Sequence, residues 1–102
     1  MTDTTAYTLK SIKHLRRDER GRFILVGYFL DLTPREYEIL NLICESYPTP
    51  LRREDIVNSF NNLSSDSVTV FINTINKKSH IIGGRRLVIC HRGKGYTLNE
   101  YM

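Results

Sequence analysis

The run Thr33-Pro34-Arg35-Glu36 constrains the fold more than any other feature of this sequence, because it marks where a helix begins. Thr33 can cap the free amides of the first helical turn, and Pro34 already has the φ angle that the first helical position needs. Glu36 stands three residues after the cap and completes a capping box. Apolar residues then recur at helical spacing, at Tyr37, Leu40, Ile43 and Cys44. The pattern predicts a helix with one buried face that ends before the prolines of segment 47–50.

Two further helices are predicted after this one. The first covers about 52–60, and its inward residues are Ile56, Val57 and Phe60. The second follows a cap at Ser64 or Ser65 and runs to about Ser79, before the glycine pair 83–84.

The third helix has two distinct sides at 100° per residue. One stripe is apolar and contains Val68, Ile72 and Ile75, flanked by Phe71. The opposite stripe contains Asp66, Val70, Asn73 and Lys77, with Thr69 and Thr74 beside it. The helix is therefore predicted to bury the first side and to expose a short, amide-rich face.

Strand patterns flank the helices on both sides. Residues 10–32 contain β-branched and aromatic runs, a turn at 18–21 and a reversal at Gly27-Tyr28 into 29–32, which predicts a small antiparallel meander. Residues 86–90 and 96–98 predict a second pair of strands. The turn between them, Arg92-Gly93-Lys94-Gly95, gives this hairpin a basic tip.

Length and charge restrict the class of protein. At 102 residues the chain is one domain, for which we expect a frayed segment at 1–9 and a folded domain at 10–102. Lys and Arg number 15 against 11 Asp and Glu, and the net charge of +4 favours an anionic partner. There is no apolar run long enough for a membrane segment and no pattern of a signal peptide, so a soluble, cytoplasmic protein is expected.

Patterns for catalysis and metal binding are missing from the sequence. It contains no nucleophile elbow, phosphate-binding glycine loop or paired carboxylates, so neither an enzyme nor a cofactor is predicted. The histidines and cysteines lack the paired spacing of a metal site. Cys44 and Cys90 lie in apolar stretches and are expected to be buried, reduced thiols. The aromatic residues expected in the core, rather than as stacking platforms for single strands, are Tyr37, Phe60, Phe71 and Tyr96.

The order of strands, three helices and hairpin resembles the DNA-binding domain of OmpR/PhoB-type response regulators, which ToxR/CadC-type regulators share. Four motifs over about residues 10–99 carry the resemblance: the runs 32–40 and 53–60, the spaced Val68, Ile72 and Ile75 before Lys77-Lys78, and the run 92–98. The resemblance implies an α+β fold, a winged helix-turn-helix with an N-terminal antiparallel sheet, three helices and a C-terminal β-hairpin wing.

In this family the third helix lies in the major groove of DNA and the wing reaches the neighbouring minor groove. The resemblance therefore implies a transcriptional regulator that binds double-stranded DNA through a recognition helix at about 65–78 and a wing at about 86–98. The residues expected at bases and groove walls are Ser67, Thr69, Val70, Asn73, Thr74, Asn76 and Lys77. Those expected at the DNA backbone and in the wing are Arg52, Arg53, Lys78, Arg85, Arg86, His91, Arg92 and Lys94.

The third helix departs from the family where the family carries arginine and histidine. The corresponding positions hold Asp66, Phe71, Asn73, Thr74 and Asn76. Asn73 and Asn76 can pair with adenine, and the methyl groups of Val70 and Thr74 can meet those of thymine. The cations stand instead in the wing, where a narrow minor groove attracts arginine, so an A·T-rich site is predicted.

The arginine-poor third helix leaves a second interpretation open, a protein-interaction module on the same fold. Such a module binds another regulator or RNA polymerase, with weak or no DNA binding. The connection 61–65 is shorter than the loop through which activators of the family meet RNA polymerase, which favours a repressor, antagonist or co-regulator.

Three expectations concern assembly. The run 13–17 is predicted to be a solvated strand edge or, alternatively, a dimer or protein contact. A module this small is expected to pair on DNA as a homodimer. A receiver domain is not among these 102 residues, so the chain is expected to be either a stand-alone regulator or a fragment of a longer one.

Overall fold

The computed structural model describes residues 14–100. Three short strands come first, β1 (Leu15–Arg17), β2 (Phe23–Leu25) and β3 (Tyr28–Phe29). Three helices follow, α1 (Pro34–Ser46), α2 (Arg53–Asn58) and α3 (Ser65–Gly83), and a hairpin of β4 (Val88–His91) and β5 (Gly95–Leu98) comes last. The predicted α+β winged helix-turn-helix architecture is confirmed. The segment 1–9, expected to be frayed, and the predicted domain start at residue 10 lie outside the described residues.

The N-terminal sheet is antiparallel in the order β1-β2-β3, which confirms the predicted meander. Asp18 closes the first turn, because its carboxylate accepts two hydrogen bonds of 2.9 Å from backbone N–H groups within that turn. The second reversal lies at Val26-Gly27, one residue earlier than predicted. Both of its residues have positive φ angles, 52° and 82°, which match the twist of a two-residue hairpin.

The capping box at the start of α1 forms as predicted. Thr33 Oγ1 accepts a hydrogen bond from the Glu36 backbone N–H at 3.3 Å, and Glu36 Oε1 accepts one from the Thr33 backbone N–H at 2.9 Å. The helix ends at Ser46, before the proline-containing segment 47–50. Because both hydrogen bonds of the capping box form, the residue at which α1 begins follows directly from the sequence.

Helix α2 is shorter and α3 longer than predicted. After Asn58 the backbone continues through single turns, in which the Ser59 and Phe60 N–H groups bond to carbonyls three residues earlier. Helix α3 starts after the Ser64 cap, as expected, but continues beyond Ser79 to Gly83. It ends there because Gly84 adopts a left-handed conformation with a φ of 74°.

One hydrophobic core lies between the sheet, the helices and the hairpin. Its most buried members include Leu15, Phe23, Leu25, Leu30, Ile39, Leu40, Ile43, Cys44, Ile56, Val68, Ile75 and Leu87. Tyr96 is buried as predicted, whereas Tyr37, Phe60 and Phe71 are only partly buried against the core. The prediction for Cys90 is wrong. It shares a strand face with the buried Val88 but lies beyond the core, near the hairpin tip, and is exposed.

The hairpin is attached to the body of the protein through Leu51. Leu51 and Tyr96 exchange two backbone hydrogen bonds of 2.9 and 2.8 Å, so β5 is paired along both of its edges. Gly95 precedes this contact and has a φ of 128°. A Cβ atom at Gly95 would lie 2.4 Å from the carbonyl oxygen of Leu51, which is closer than atoms can approach. The wing therefore requires glycine at this position.

Gly95→Ala is expected to destabilise the protein by at least about 2 kcal/mol, because the methyl group collides with backbone and the φ angle is strained. Gly93→Ala is the matched control, since Gly93 also has a positive φ, 76°, but open space around it. The control is expected to cost about 1 kcal/mol from backbone strain alone. Urea unfolding measures both variants, and equal losses would contradict the collision at Leu51.

Candidate nucleic-acid interface

The outer face of α3 presents a short row of side chains to solvent. Val70 is 62% exposed, and Asn73 and Lys77 are exposed on the same side. On the inner side the three apolar residues Val68, Ile72 and Ile75 are buried. The predicted division of the helix into a buried and an exposed stripe is therefore confirmed.

The hydroxyl groups of Ser67 and Thr74, near this face, already have backbone or side-chain partners. Ser64 Oγ accepts the Ser67 N–H at 3.1 Å and lies 2.9 Å from Ser67 Oγ, so Ser67 belongs to the helix cap. Thr74 Oγ1 donates to the Val70 carbonyl at 3.0 Å. Thr69 is half-buried. Of the polar residues predicted here, Asn73 and Lys77 are thus exposed without a hydrogen bond within residues 14–100.

Asn76 does not lie on the exposed face with Asn73. Its Nδ2 donates to the Val88 carbonyl at 3.0 Å, and its Oδ1 accepts the Val88 N–H at 2.8 Å. These bonds argue against the expectation that Asn76 reads a base, because both polar atoms of the amide are bonded to β4. The physical reason is helical phase, since Asn76 is only 40° from the buried Ile72 at 100° per residue.

Lys78 forms an ion pair within the protein and is partly exposed. Its Nζ lies 2.7 Å from Glu36 Oε1, and the Glu36 side chain is buried, with 4% of the residue exposed. This ion pair argues against the predicted contact of Lys78 with the DNA backbone, which stays a prediction. Its charge is used inside the protein, where it balances the carboxylate of the α1 capping box.

Arg53 joins three parts of the structure. From the start of α2 its Nη1 donates to the carbonyl of Ser65, in the first turn of α3, at 3.1 Å. Its Nη2 donates to the hydroxyl of Tyr96, in β5, at 2.7 Å, and the guanidinium lies over the Tyr96 ring. The guanidinium thus brings the start of α3 and the returning strand of the hairpin within the reach of one side chain.

The hairpin and the start of α2 together carry a group of exposed cations. The members predicted from the sequence are Arg52, Arg85, Arg86, Arg92 and Lys94. Arg52 lies 3.4 Å from Glu54, and both side chains are largely exposed. For the other four, residues 14–100 offer no carboxylate within 4 Å of the charged nitrogens. His91 Nε2 lies 2.7 Å from Thr97 Oγ1 across the hairpin.

A cleft of about 320 Å³ separates the start of α2 from the hairpin tip. Arg52, Arg53 and Lys94 line it, together with Glu54 and the exposed Cys90. Three cations and one carboxylate therefore line a cleft that is open to solvent, and the excess positive charge suits an anionic group.

Two contributors to this region were missed in the sequence. The sequence predicts Tyr96 only as a core residue, yet its hydroxyl also accepts a hydrogen bond from Arg53. It predicts Ser79 only as the end of a helix, yet the buried Ser79 Oγ accepts the Leu87 N–H at 3.0 Å. The signal for Tyr96 was available, since a buried tyrosine hydroxyl usually finds a hydrogen-bond partner.

Among residues 14–100, no three His, Cys, Asp or Glu side chains come together in a way that could hold a metal ion. Within the same range, no helix has the length and apolar character needed to cross a membrane.

Solved DNA-binding domains of response regulators share this fold. The domain of AdeR, solved in complex with an intercistronic region, matches 85% of this chain and 94% of its own length, with a TM-score of 0.73 and 22% identity. The DNA-binding domain of RstA from Klebsiella pneumoniae, solved with the RstA box, matches 87% and 94%, with a TM-score of 0.70 and 19% identity. DrrB from Thermotoga maritima, an OmpR/PhoB homologue, matches 84% of this chain and 42% of its own length, with a TM-score of 0.70 and 26% identity.

The chain therefore spans nearly all of the isolated domains and less than half of DrrB. No protein-family sequence model matches it, and no curated protein matches it by sequence. The resemblance to the OmpR/PhoB-type winged-helix domain is confirmed in the fold.

The Glu36–Lys78 pair is expected to make stability depend on pH. Burial acts to raise the pKa of Glu36, but hydrogen bonds from Lys78 and from the Thr33 backbone outweigh it and hold the pKa below the ordinary 4.5. The stabilisation is therefore complete above pH 4.5 and is lost as the pH falls through the lower pKa of the folded protein.

Glu36→Gln is expected to cost about 1–2 kcal/mol at pH 7, since Lys78 is partly exposed and solvent screens the pair. Urea unfolding at pH 7 and at low pH measures the difference, which should shrink in acid. Glu38→Gln is the control, because its contact with Arg35 is 3.7 Å long and exposed. A loss for Glu36→Gln that stays constant with pH would disprove the role of the charge.

Proposed function

We propose that this chain binds double-stranded DNA as a transcriptional regulator, with α3 in the major groove and the β4–β5 wing in the adjacent minor groove. The observation that carries the proposal is the contact of Arg53 with both Ser65 and Tyr96. One guanidinium links the start of α3 to the wing, so a single ligand can meet both. Two solved domains of this fold, those of AdeR and RstA, are in complexes with DNA.

The proposed reading face is smaller than the sequence suggested. Asn73 is its central polar residue, because its exposed amide can donate from Nδ2 to N7 of adenine and accept at Oδ1 from the N6 amino group, the bidentate pairing of asparagine. Val70 and the methyl group of Thr74 flank it and suit thymine methyl groups. Lys77 continues the row toward a phosphate, while Ser67 and Thr69 stand at the edge of the groove. This face favours an A·T-rich site.

The wing supplies most of the positive charge. Arg92 and Lys94 stand at its tip and suit a narrow minor groove, whose negative potential is strongest over A·T pairs. Arg85 and Arg86, just before β4, add to this charge, and His91 lies at the end of β4. Arg52 and Arg53 line the cleft beside the tip, where a backbone phosphate would position the duplex without selecting its sequence.

We further propose that the protein is cytoplasmic, has no catalytic activity and binds DNA as a homodimer. Pairing is proposed because one small module with few base contacts gains affinity and specificity from a second half-site. RNA polymerase or another regulator is a further proposed partner.

A protein-interaction module remains the second candidate function, and two exposed apolar residues favour it. Val70 is 62% exposed and Ile81 is 84% exposed, both on the solvent side of α3. Retention on heparin or on nonspecific DNA at low salt separates the two candidates. A DNA-binding regulator is retained, whereas a module that binds only protein through this helix passes through.

Asn73→Ala is expected to lose about 1–3 kcal/mol of discrimination at an A·T pair in the site. A random-pool selection first identifies the preferred duplex, and fluorescence anisotropy then compares this duplex with single-pair variants of it. Asn58→Ala, on exposed α2, is the matched control and should bind like the wild type. Equal behaviour of Asn73→Ala and the wild type on every duplex would remove the base-reading role.

Lys94→Ala is expected to weaken binding to all sequences alike, because the wing contact is electrostatic. Losing one phosphate contact should reduce the slope of log K against log salt by about 0.9. Arg20→Ala removes an exposed cation outside the proposed interface and serves as the control. An unchanged salt slope for Lys94→Ala would place the wing away from DNA.

A further inference from the structure

The start of the wing is attached to α3 by the Asn76 side chain, whose amide forms the hydrogen bonds that a neighbouring strand would form. Asn76 donates to the Val88 carbonyl and accepts from the Val88 N–H, at 3.0 and 2.8 Å. An antiparallel neighbour makes the same pair of bonds to one residue. Val88 is the first residue of β4 and is 2% exposed, so the contact fixes the point at which the wing leaves the body.

Ser79 strengthens the same attachment one turn further along α3. Its buried hydroxyl accepts the Leu87 N–H and lies 3.0 Å from the carbonyls of Arg85 and of Asn76. The backbone that enters the wing is thus bonded to two side chains of the helix. The returning strand is held separately, by Arg53 at Tyr96.

We propose that Asn76 is a positioning residue, which sets the place of the wing relative to the reading face of α3. This rests on the proposed function, in which both surfaces contact one duplex. Asn73 and Asn76 lie three residues apart on the same helix, so the side chain that reads a base and the side chain that anchors the wing are about 4.5 Å apart along its axis. Displacement of the wing therefore changes its distance from the reading residue directly.

The geometry of the hairpin amplifies small movements at Val88. Arg92 is four residues beyond Val88, so the tip lies about 13 Å from the anchor at strand spacing. A tilt of about 10° at the anchor moves the tip by roughly 2 Å over that length, which is enough to break a hydrogen bond to a phosphate. Asn76 can thus affect DNA binding without touching DNA.

The test is a double-mutant cycle between the anchor and the wing tip. Asn76→Ala is made in the wild type and in the Arg92→Ala/Lys94→Ala background, and anisotropy measures the affinity of all four proteins for one A·T-rich duplex. In the wild type we expect Asn76→Ala to lower the affinity about tenfold. In the background without the tip cations we expect it to lower the affinity by less than about twofold. Asn58→Ala, on the exposed side of α2, is the control and should leave affinity unchanged.

A purely structural effect of Asn76 would weaken binding by the same factor in both backgrounds, and this result would overturn the positioning role. A loss confined to particular base pairs would overturn it as well, because it would show that Asn76 reads bases. Hydrogen exchange at the Val88 amide of the free protein checks the anchor itself and should be faster in Asn76→Ala than in the Asn58→Ala control. If the wild type binds no duplex at low salt, the proposed function fails, and the positioning role toward DNA falls with it.

Discussion

The contact of Arg53 with Ser65 and Tyr96 determines how the two ends of the candidate interface are arranged. A planar guanidinium donates in fixed directions, so it holds its two partners at a defined separation as well as bonding to them. Here the partners are the first turn of α3 and the returning strand of the wing. The side chain is half-buried and also lies over the Tyr96 ring, which limits its movement. Lysine, with a single charged nitrogen on a flexible stem, could not reproduce this arrangement.

A second constraint acts on the inner side of α3. The Glu36 carboxylate caps α1 and also forms an ion pair with the Lys78 ammonium group. It therefore joins the start of α1 to α3. Asn76 and Ser79 then join α3 to the entry of the wing. Each of these polar groups is buried or half-buried and bonded, so the inner face of α3 is specified by hydrogen bonds as well as by apolar packing. The outer face remains open for a ligand.

The sequence predicted what depends on near neighbours and missed what depends on distant ones. The capping box joins two residues that are three positions apart and the stripes of α3 follow from helical phase, so the sequence predicts both. The partners Glu36–Lys78, Arg53–Tyr96 and Asn76–Val88 are separated by 42, 43 and 12 positions. Because an amide or a cation is equally suited to a base, a phosphate or a backbone group, residue type alone could not distinguish an exposed Asn73 from an anchoring Asn76. The prediction that Cys90 is buried is wrong for a related reason. Apolar neighbours in the sequence do not show that the end of β4 extends beyond the core.

The most direct measurement of the central claim is an NMR titration of the isotope-labelled protein with an A·T-rich duplex. If α3 and the wing contact the same DNA, the signals of Val70, Asn73 and Lys77 and those of Gly93 and Lys94 should shift together and saturate with one dissociation constant. Shifts confined to one of the two groups, or centred on the N-terminal sheet, would contradict the account.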